Sequence, residues 1–279
     1  MKLFVLTGCL FLTLALALNP AQAVTFTTID FPGALLTSAN GINSSGQIVG
    51  HYNVSGIHGF LLSGGVFTTI DFPGIGVSTW CEGINDNGDI AGWYIAPGNV
   101  QLHGFLMQGG VFTTLDFPGA ISTSAWAINN AGQVVGEYST GVGIHGFVYQ
   151  AGTYTDVTVS GATYTQLRGI NNVGDIVGRF ATLTGHDHGL LLSNGIQHFL
   201  NVPGAIATYA NGVNDRKHIV GYQDLTIGNS GFAFFRGNYM VISRAGSNDV
   251  KALAIDNNLD IVGEYTDHQS VTHGFLRNP

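Results

Sequence analysis

Gly41-Ile42-Asn43-Ser44-Ser45-Gly46-Gln47-Ile48-Val49-Gly50 decides the fold, because the chain repeats this pattern six times. Its Asn position recurs as Asn43, Asn85, Asn129, Asn171, Asn214 and Asp256, at spacings of 42, 44, 42, 43 and 42 residues. A fixed period of this length marks a repeat architecture, in which each unit buries its apolar face only against its neighbours. Outward from that block stands His-Gly-Phe, at His58, His103, His145 and His273. It becomes His188-Gly189-Leu190 in the fourth copy and Ser230-Gly231-Phe232 in the fifth. A further block, Phe-Thr-Thr-Ile/Leu-Asp-Phe-Pro-Gly, begins at Phe26, Phe67 and Phe112. It decays to Val159-Ser160-Gly161, Val202-Pro203-Gly204 and Arg244-Ala245-Gly246.

Each repeat reads as four short strands, A to D, separated by turn residues. In the first complete copy the pattern predicts A over 37–43, B over 47–52, C over 58–63 and D over 66–72. Asn-x-x-Gly links A to B, where Asn closes an Asx turn and Gly accepts positive φ. Ser63-Gly64-Gly65 and Gln108-Gly109-Gly110 make tight C–D hairpins. The Pro of Phe-Pro-Gly ends the D ladder because it lacks a donor. Val24 to Phe31 is a D strand with no A, B and C before it, and Val250 to Arg277 supplies A, B and C with no D after them. Pairing the two leftovers closes a ring and removes the exposed edges of an open array. The expectation is an all-β, six-bladed β-propeller closed by the N-terminal strand on the last blade. A β-solenoid is the alternative, and it strands both leftovers.

Ahead of the repeats, Lys2 precedes an apolar run over Leu3–Leu18, and Ala21-Gln22-Ala23 supplies a small-x-small cleavage pattern. This is a secretory signal peptide over 1–23, leaving 24–279 as one propeller domain. The apolar run is shorter than the ~20 residues of a spanning helix, and no second one follows, so no membrane span is expected in the mature chain. Location is then exported: periplasm, medium or cell surface. Cys81 is the one cysteine outside that segment and makes no internal disulfide. Charged residues are only 9% and the net charge is −8, one unit more negative without Lys2. With no basic cluster, nucleic-acid partners are disfavoured.

The His-Gly-Phe triplet after the Ile-Asn…Gly-x-Ile-Val-Gly block resembles the bacterial extracellular HAF repeat family, named for His-Ala-Phe. The resemblance runs over 24–279, with Gly for the middle Ala throughout and Ser230 for one His. It implies export from a bacterium and a repeat architecture, and no defined activity or catalytic residue.

The repeated polar residues read as scaffold. His58, His103, His145, His188 and His273 are expected as one buried, hydrogen-bonded imidazole per blade rather than as a metal site, because ring symmetry holds equivalent positions apart. Asn85-Asp86-Asn87-Gly88-Asp89 resembles part of a calcium loop but lacks the closing Glu, and turn chemistry accounts for all six copies. Asp30, Asp71 and Asp116 are expected to cap the D–A turns. No cofactor motif occurs.

Function is expected where the copies disagree. The D–A and B–C loops vary most and share one face. Toward it point Asn40, Glu82, Trp126, Arg168, Asn211 and Leu253 on A, and His51, Trp93, Glu137, Arg179, Tyr222 and Glu264 on B. Pairing Ile42 near Ile48 places these two sets side by side along the central channel. Aromatic platforms beside carboxylates and guanidinium groups suit a sugar or a peptide. The residues expected to bind are His51, Glu82, Trp93, Trp126, Glu137, Arg168, Arg179, Tyr222 and Glu264. The first reading is therefore a non-catalytic secreted module for a carbohydrate or an extracellular protein. A hydrolase or lyase acting on a glycan or lactone is the second, with Glu82, Glu137 and Glu264 as acid/base candidates. A structural surface protein without a small-molecule site is the third.

Overall fold

The computed structural model describes residues 24–183 and 185–279, so the signal peptide expected over 1–23 lies outside the described residues. Every regular element among those described is a strand, and no helix there is long and apolar enough to cross a membrane. The chain opens with β1 (Thr25–Ile29). The first unit follows as β2 (Leu36–Ile42), β3 (Ile48–Asn53), β4 (Ile57–Ser63) and β5 (Val66–Ile70). The second is β6 (Ser78–Ile84), β7 (Ile90–Ile95), β8 (His103–Gln108) and β9 (Val111–Leu115). The third is β10 (Ser122–Ile128), β11 (Val134–Thr140), β12 (Gly143–Gln150) and β13 (Thr153–Val157). The fourth is β14 (Ala162–Ile170), β15 (Ile176–Thr182), β16 (Asp187–Ser193) and β17 (Ile196–Leu200). The fifth is β18 (Ala207–Val213), β19 (Ile219–Asp224), β20 (Asn229–Phe235) and β21 (Asn238–Ile242). The last unit holds β22 (Ser247–Ile255), β23 (Ile261–Asp267) and β24 (Thr272–Asn278).

β1 completes that last unit. It pairs antiparallel with β24, Thr25 opposite Asn278 and Ile29 opposite Gly274, across nearly the whole chain. The closure expected from the two leftover segments is therefore present. The innermost strands touch in ring order, β2 with β6, β6 with β10, and on round to β22 with β2. A solenoid has no such return contact.

The sheet count departs from six separate four-stranded blades. Four sheets stand free with four strands each, and one sheet has eight. The larger sheet contains the third and fourth units, joined where Ile144 on β12 lies in parallel register with Tyr164 on β14. β14 and β22 run nine residues where β2, β6, β10 and β18 run seven. β14 carries a second register shift between Ala162 and Tyr164, and β22 a like one between Ser247 and Asp249, but β22 stays within its own four-stranded sheet.

The core explains the constancy of the repeat. Six apolar clusters lie one at each junction between successive units, the junction from last to first included. In one, Val49 of the first unit packs against Cys81, Ile84, Ile90 and Phe105 of the second. Phe60, Phe105, Phe147, Leu190, Phe232 and Phe275, the third residue of each His-Gly-Phe, are fully buried. Its Gly is a point of close approach between units. A Cβ on Gly59 would lie 2.4 Å from the Ile70 carbonyl and 2.6 Å from Cys81 Sγ on the next unit.

Candidate functional site

All six inner strands carry the same irregularity. Ile42 pairs with Ile48 as expected, but the register shifts between Ala39 and Gly41, leaving Asn40 without an opposite residue. The same shift isolates Glu82, Trp126, Arg168, Asn211 and Leu253. A β-bulge of this kind frees one residue from the ladder and re-aims its side chain. Here the six bulged residues together line two stacked cavities, one above and one below them, so they partition the axial channel. The bulge also corrects the expected cross-ladder pairs. His51 lies opposite Ser38, Trp93 opposite Trp80 and Glu264 opposite Lys251, each two residues before the bulge.

The cavity on the D–A/B–C side of this floor holds about 260 Å³, against about 80 Å³ beneath the floor and about 70 Å³ at the A–B turn end. Of the nine residues expected to bind, His51, Glu82, Trp93, Trp126, Arg168, Arg179, Tyr222 and Glu264 line it. Glu137 does not, and instead stands behind Arg168, its Oε2 3.7 Å from the guanidinium. Trp80, Lys251 and Ser38 line the cavity and were not foreseen. The signal that finds them is the same disagreement between copies, two residues earlier on strand A, where Ser38, Trp80, Ser124, Gln166, Tyr209 and Lys251 share one position. The chain has three tryptophans, and all three face this cavity.

Within it the groups form three clusters. Trp80 and Trp93 stack at 3.8 Å, and Trp93 Nε1 donates to Glu82 Oε1 at 3.0 Å. Arg168 lies over the Trp126 ring at 3.6 Å, and its Nη2 donates to Gln166 Oε1 at 3.3 Å. Lys251 Nζ donates to Glu264 Oε1 at 2.9 Å. These settings separate the two lining carboxyls. Burial raises Glu82 to about 8, against Arg168 and the Trp93 hydrogen bond, which pull it down. Burial also works to raise Glu264, but Lys251 outweighs it and holds that carboxyl below its usual range. Burial lowers His51 to about 4, with Glu264 opposing, so its ring is neutral at pH 7. Its Nδ1 lies 3.1 Å from Asn40 Nδ2.

The loops around the cavity mouth present exposed aliphatic side chains, among them Leu35, Ile75, Val100, Val142, Leu183 and Ile227. The repeated histidines stand near the start of the C strands, next to these loops, and their setting differs from the one expected. His58, His103 and His273 keep 32%, 24% and 20% of their side-chain surface exposed rather than being buried. Their Nδ1 atoms meet Asp71, Asp116 and Asp30 at 2.9–3.2 Å. So those aspartates pair with histidine rather than cap the D–A turn. The turn is held instead by a buried threonine on strand A: Thr37, Thr79, Thr123, Thr165 and Thr208 each accept a backbone N–H from it. His58, His103, His145 and His273 also stack on a strand-B tyrosine, as His58 on Tyr52 and His145 on Tyr138, while His188 is tilted against Phe180. Among the described residues no group of three or more His, Cys, Asp or Glu could hold a metal ion.

The opposite end of the inner strands is closed by the Asn ring. Asn43 Oδ1 accepts the backbone N–H groups of Ser45 and Gln47, the expected Asx turn. Its Nδ2 reaches the next unit and donates to the Asn85 carbonyl at 3.1 Å. Asn85, Asn129, Asn171 and Asn214 repeat the reach to Asn129, Asn171, Asn214 and Asp256. Asp256 cannot donate from an ionised carboxylate, and the seam is bridged by Asn258 Nδ2 to the Ser44 carbonyl at 3.2 Å.

Ring closure, junction cores and bulged inner strands define a β-propeller with a cavity on its axis. No family model and no curated protein matches the chain. Solved structures share the fold at low identity. AofleA from Arthrobotrys oligospora superposes with a TM-score of 0.57 at 15% identity, over 91% of this chain and 86% of its own. The fucose-specific lectin from Aleuria aurantia gives 0.54 at 13%, over 85% and 89%. Virginiamycin B lyase from Staphylococcus aureus gives 0.51 at 11%, over 90% and 88%.

Proposed function

We propose that this chain is an exported carbohydrate-binding module, its six repeats acting as six blades and its ligand seated in the axial cavity on the D–A/B–C face. The convergence of Trp80, Trp93 and Trp126 on one cavity carries the reading. Aromatic faces cover the apolar C–H face of a sugar ring, and neighbouring amides, carboxyls and guanidinium groups answer its hydroxyls. The size fits one or two sugar rings, since it lies just below the ~300–1,000 Å³ of ordinary ligand pockets. That a fucose-specific lectin shares the fold is consistent with this use, although fold alone does not assign it. Export, and the kinship to HAF repeats that implies it, rest on 1–23 and on the repeated triplets. Cell fractionation of the full chain, with N-terminal sequencing of the product, tests that part.

Binding is tested by calorimetric titration of residues 24–279 with a panel of neutral and charged oligosaccharides. Saturable binding to one glycan class is expected, weakened at least tenfold by Trp93→Ala. Heat at no saccharide, with a folded protein, rejects the reading.

One observation favours a second reading. Glu82 and Glu264 line one cavity with their proton affinities pushed in opposite directions, the arrangement an acid and a base require. In that reading Glu82 donates a proton to a leaving oxygen and Glu264 accepts one from water or from the sugar. New reducing ends from a bound oligosaccharide, lost in Glu82→Gln, would select the glycan-cleaving enzyme over the lectin-like module.

A further inference from the structure

The cavity floor holds one buried donor with no acceptor and, beside it, a guanidinium held only by long contacts. Trp126 Nε1 is buried and makes no hydrogen bond. Arg168 lies directly over that indole, and it donates at 3.3 Å to the neutral amide oxygen of Gln166. Its nearest carboxylate oxygen, Glu137 Oε2, is 3.7 Å away, beyond hydrogen-bond range, and is itself buried without a hydrogen-bond partner. The other cations of the cavity are better matched. Lys251 is bound to Glu264 at 2.9 Å, and Arg179 is held by Gln166 and lies 3.4 Å from Asp187. An unmet buried donor is costly, and a guanidinium presents its N–H groups as a planar fork matched to carboxylate geometry.

Resting on the carbohydrate reading of this cavity, we infer that its ligand is an acidic saccharide, a uronic-acid residue whose carboxylate is received by Arg168 and the Trp126 N–H. The sugar ring then lies toward the Trp80–Trp93 stack, and the neutral His51 and Asn40 face its hydroxyls. Glu82, hydrogen-bonded to Trp93, can stay protonated beside the incoming carboxylate and so need not repel it. Neutral sugars leave the Arg168 fork and the indole N–H unanswered, which is the discrimination the floor provides.

The test titrates residues 24–279 with uronic-acid oligosaccharides (galacturonate, glucuronate, and the mannuronate and guluronate of alginate), their methyl esters, and neutral oligosaccharides of matched length. Expected is binding of at least one free acid tenfold or more tighter than its ester and its neutral counterpart. Arg168→Gln removes the preference, and Trp126→Phe, which keeps an aromatic face but loses the N–H together with the pyrrole ring, reduces it severalfold. Because the ester comparison uses the unaltered protein, a misfolded variant does not blunt the test. Equal affinity for acid, ester and neutral sugar overturns the inference and leaves the carbohydrate reading standing, as does binding of neutral sugars alone. Binding of an acidic tripeptide such as Glu-Glu-Glu without any saccharide overturns both.

Discussion

The two ends of the same inner strands obey different rules, although the sites that show it, Asn40 and Asn43 in the first unit, stand only three positions apart. At the A–B turns Asn43 and its equivalents repeat one geometry, each satisfying its own turn and then the carbonyl of the next unit. At the bulge, Asn40, Glu82, Trp126, Arg168, Asn211 and Leu253 occupy equivalent positions and share no chemistry. One end needs a group that both donates and accepts, and Asn alone meets that need at full strength. At the other end the bulge frees the side chain from pairing, and the residue becomes available to a ligand. Ring closure is thus bought with uniformity at one end and leaves the other end free to vary.

The largest expected effect lies at the uniform end. Asn129→Ala strips the acceptor of two turn amides and the donor to the Asn171 carbonyl, leaving buried groups unpaired. Urea unfolding should show a loss of about 2–4 kcal/mol, in line with two or more unsatisfied buried groups at ~1–3 kcal/mol each less partial solvent relief. Asn129→Asp keeps the turn and loses the reach, so it should fall between Ala and wild type. An Asn129→Ala protein as stable as the parent would remove the ring from the account.

Next in size is the junction. Gly59→Ala sets a Cβ 2.6 Å from Cys81 Sγ, whereas Gly231→Ala meets Val250 at 3.4 Å and the Ile242 carbonyl at 3.1 Å. Overpacking should cost about 1–3 kcal/mol at Gly59 and under about 1 kcal/mol at Gly231. Thermal melts that rank them the other way would show that the junctions are looser than their geometry.

The last effects are those of pH at the variable end, and they carry opposite signs. Glu82 holds its proton in the fold up to about pH 8 and loses it when unfolded near the ordinary carboxylate value. The folded state therefore binds the extra proton, and stability falls as pH rises between those limits. Glu82→Gln should remove that slope and stabilise the protein more at pH 8 than at pH 4.5. His51 behaves inversely. Neutral in the fold down to about pH 4, it gives stability above its unfolded value of 6.5 that is lost as pH falls toward 4. His51→Asn should flatten the acid limb alone. Melting curves from pH 4 to 9 check both, and parallel curves for parent and variants would mean the cavity is wetter than its geometry implies.

Much of this contrast was legible in the residues. Period, strand order and closure follow from Asn43 to Asp256 and from the unmatched segments at each end, because a ring leaves no other use for them. The cavity residues were legible as disagreement between copies. What was not legible depends on register. No pattern in Ala39-Asn40-Gly41 announces that Asn40 is skipped by the ladder, so Ser38 and Trp80 escaped notice while Asn40 and Glu82 did not. The His58–Asp71 pairing was hidden because it joins the start of β4 to the residue just past β5, thirteen positions on, and only the folded unit sets their exposure. The merging of the third and fourth units rests on one parallel pairing, Ile144 with Tyr164, which no repeat position marks.

The most direct test of the account uses the three tryptophans as reporters, since all of them lie in the cavity. Tryptophan emission of residues 24–279 would be followed during titration with the oligosaccharide that calorimetry selects. The account predicts a saturable change that Trp93→Ala weakens at least tenfold and that Gly231→Ala leaves untouched. Emission that does not move while saccharide binds would place the ligand elsewhere on the ring and contradict the axial site.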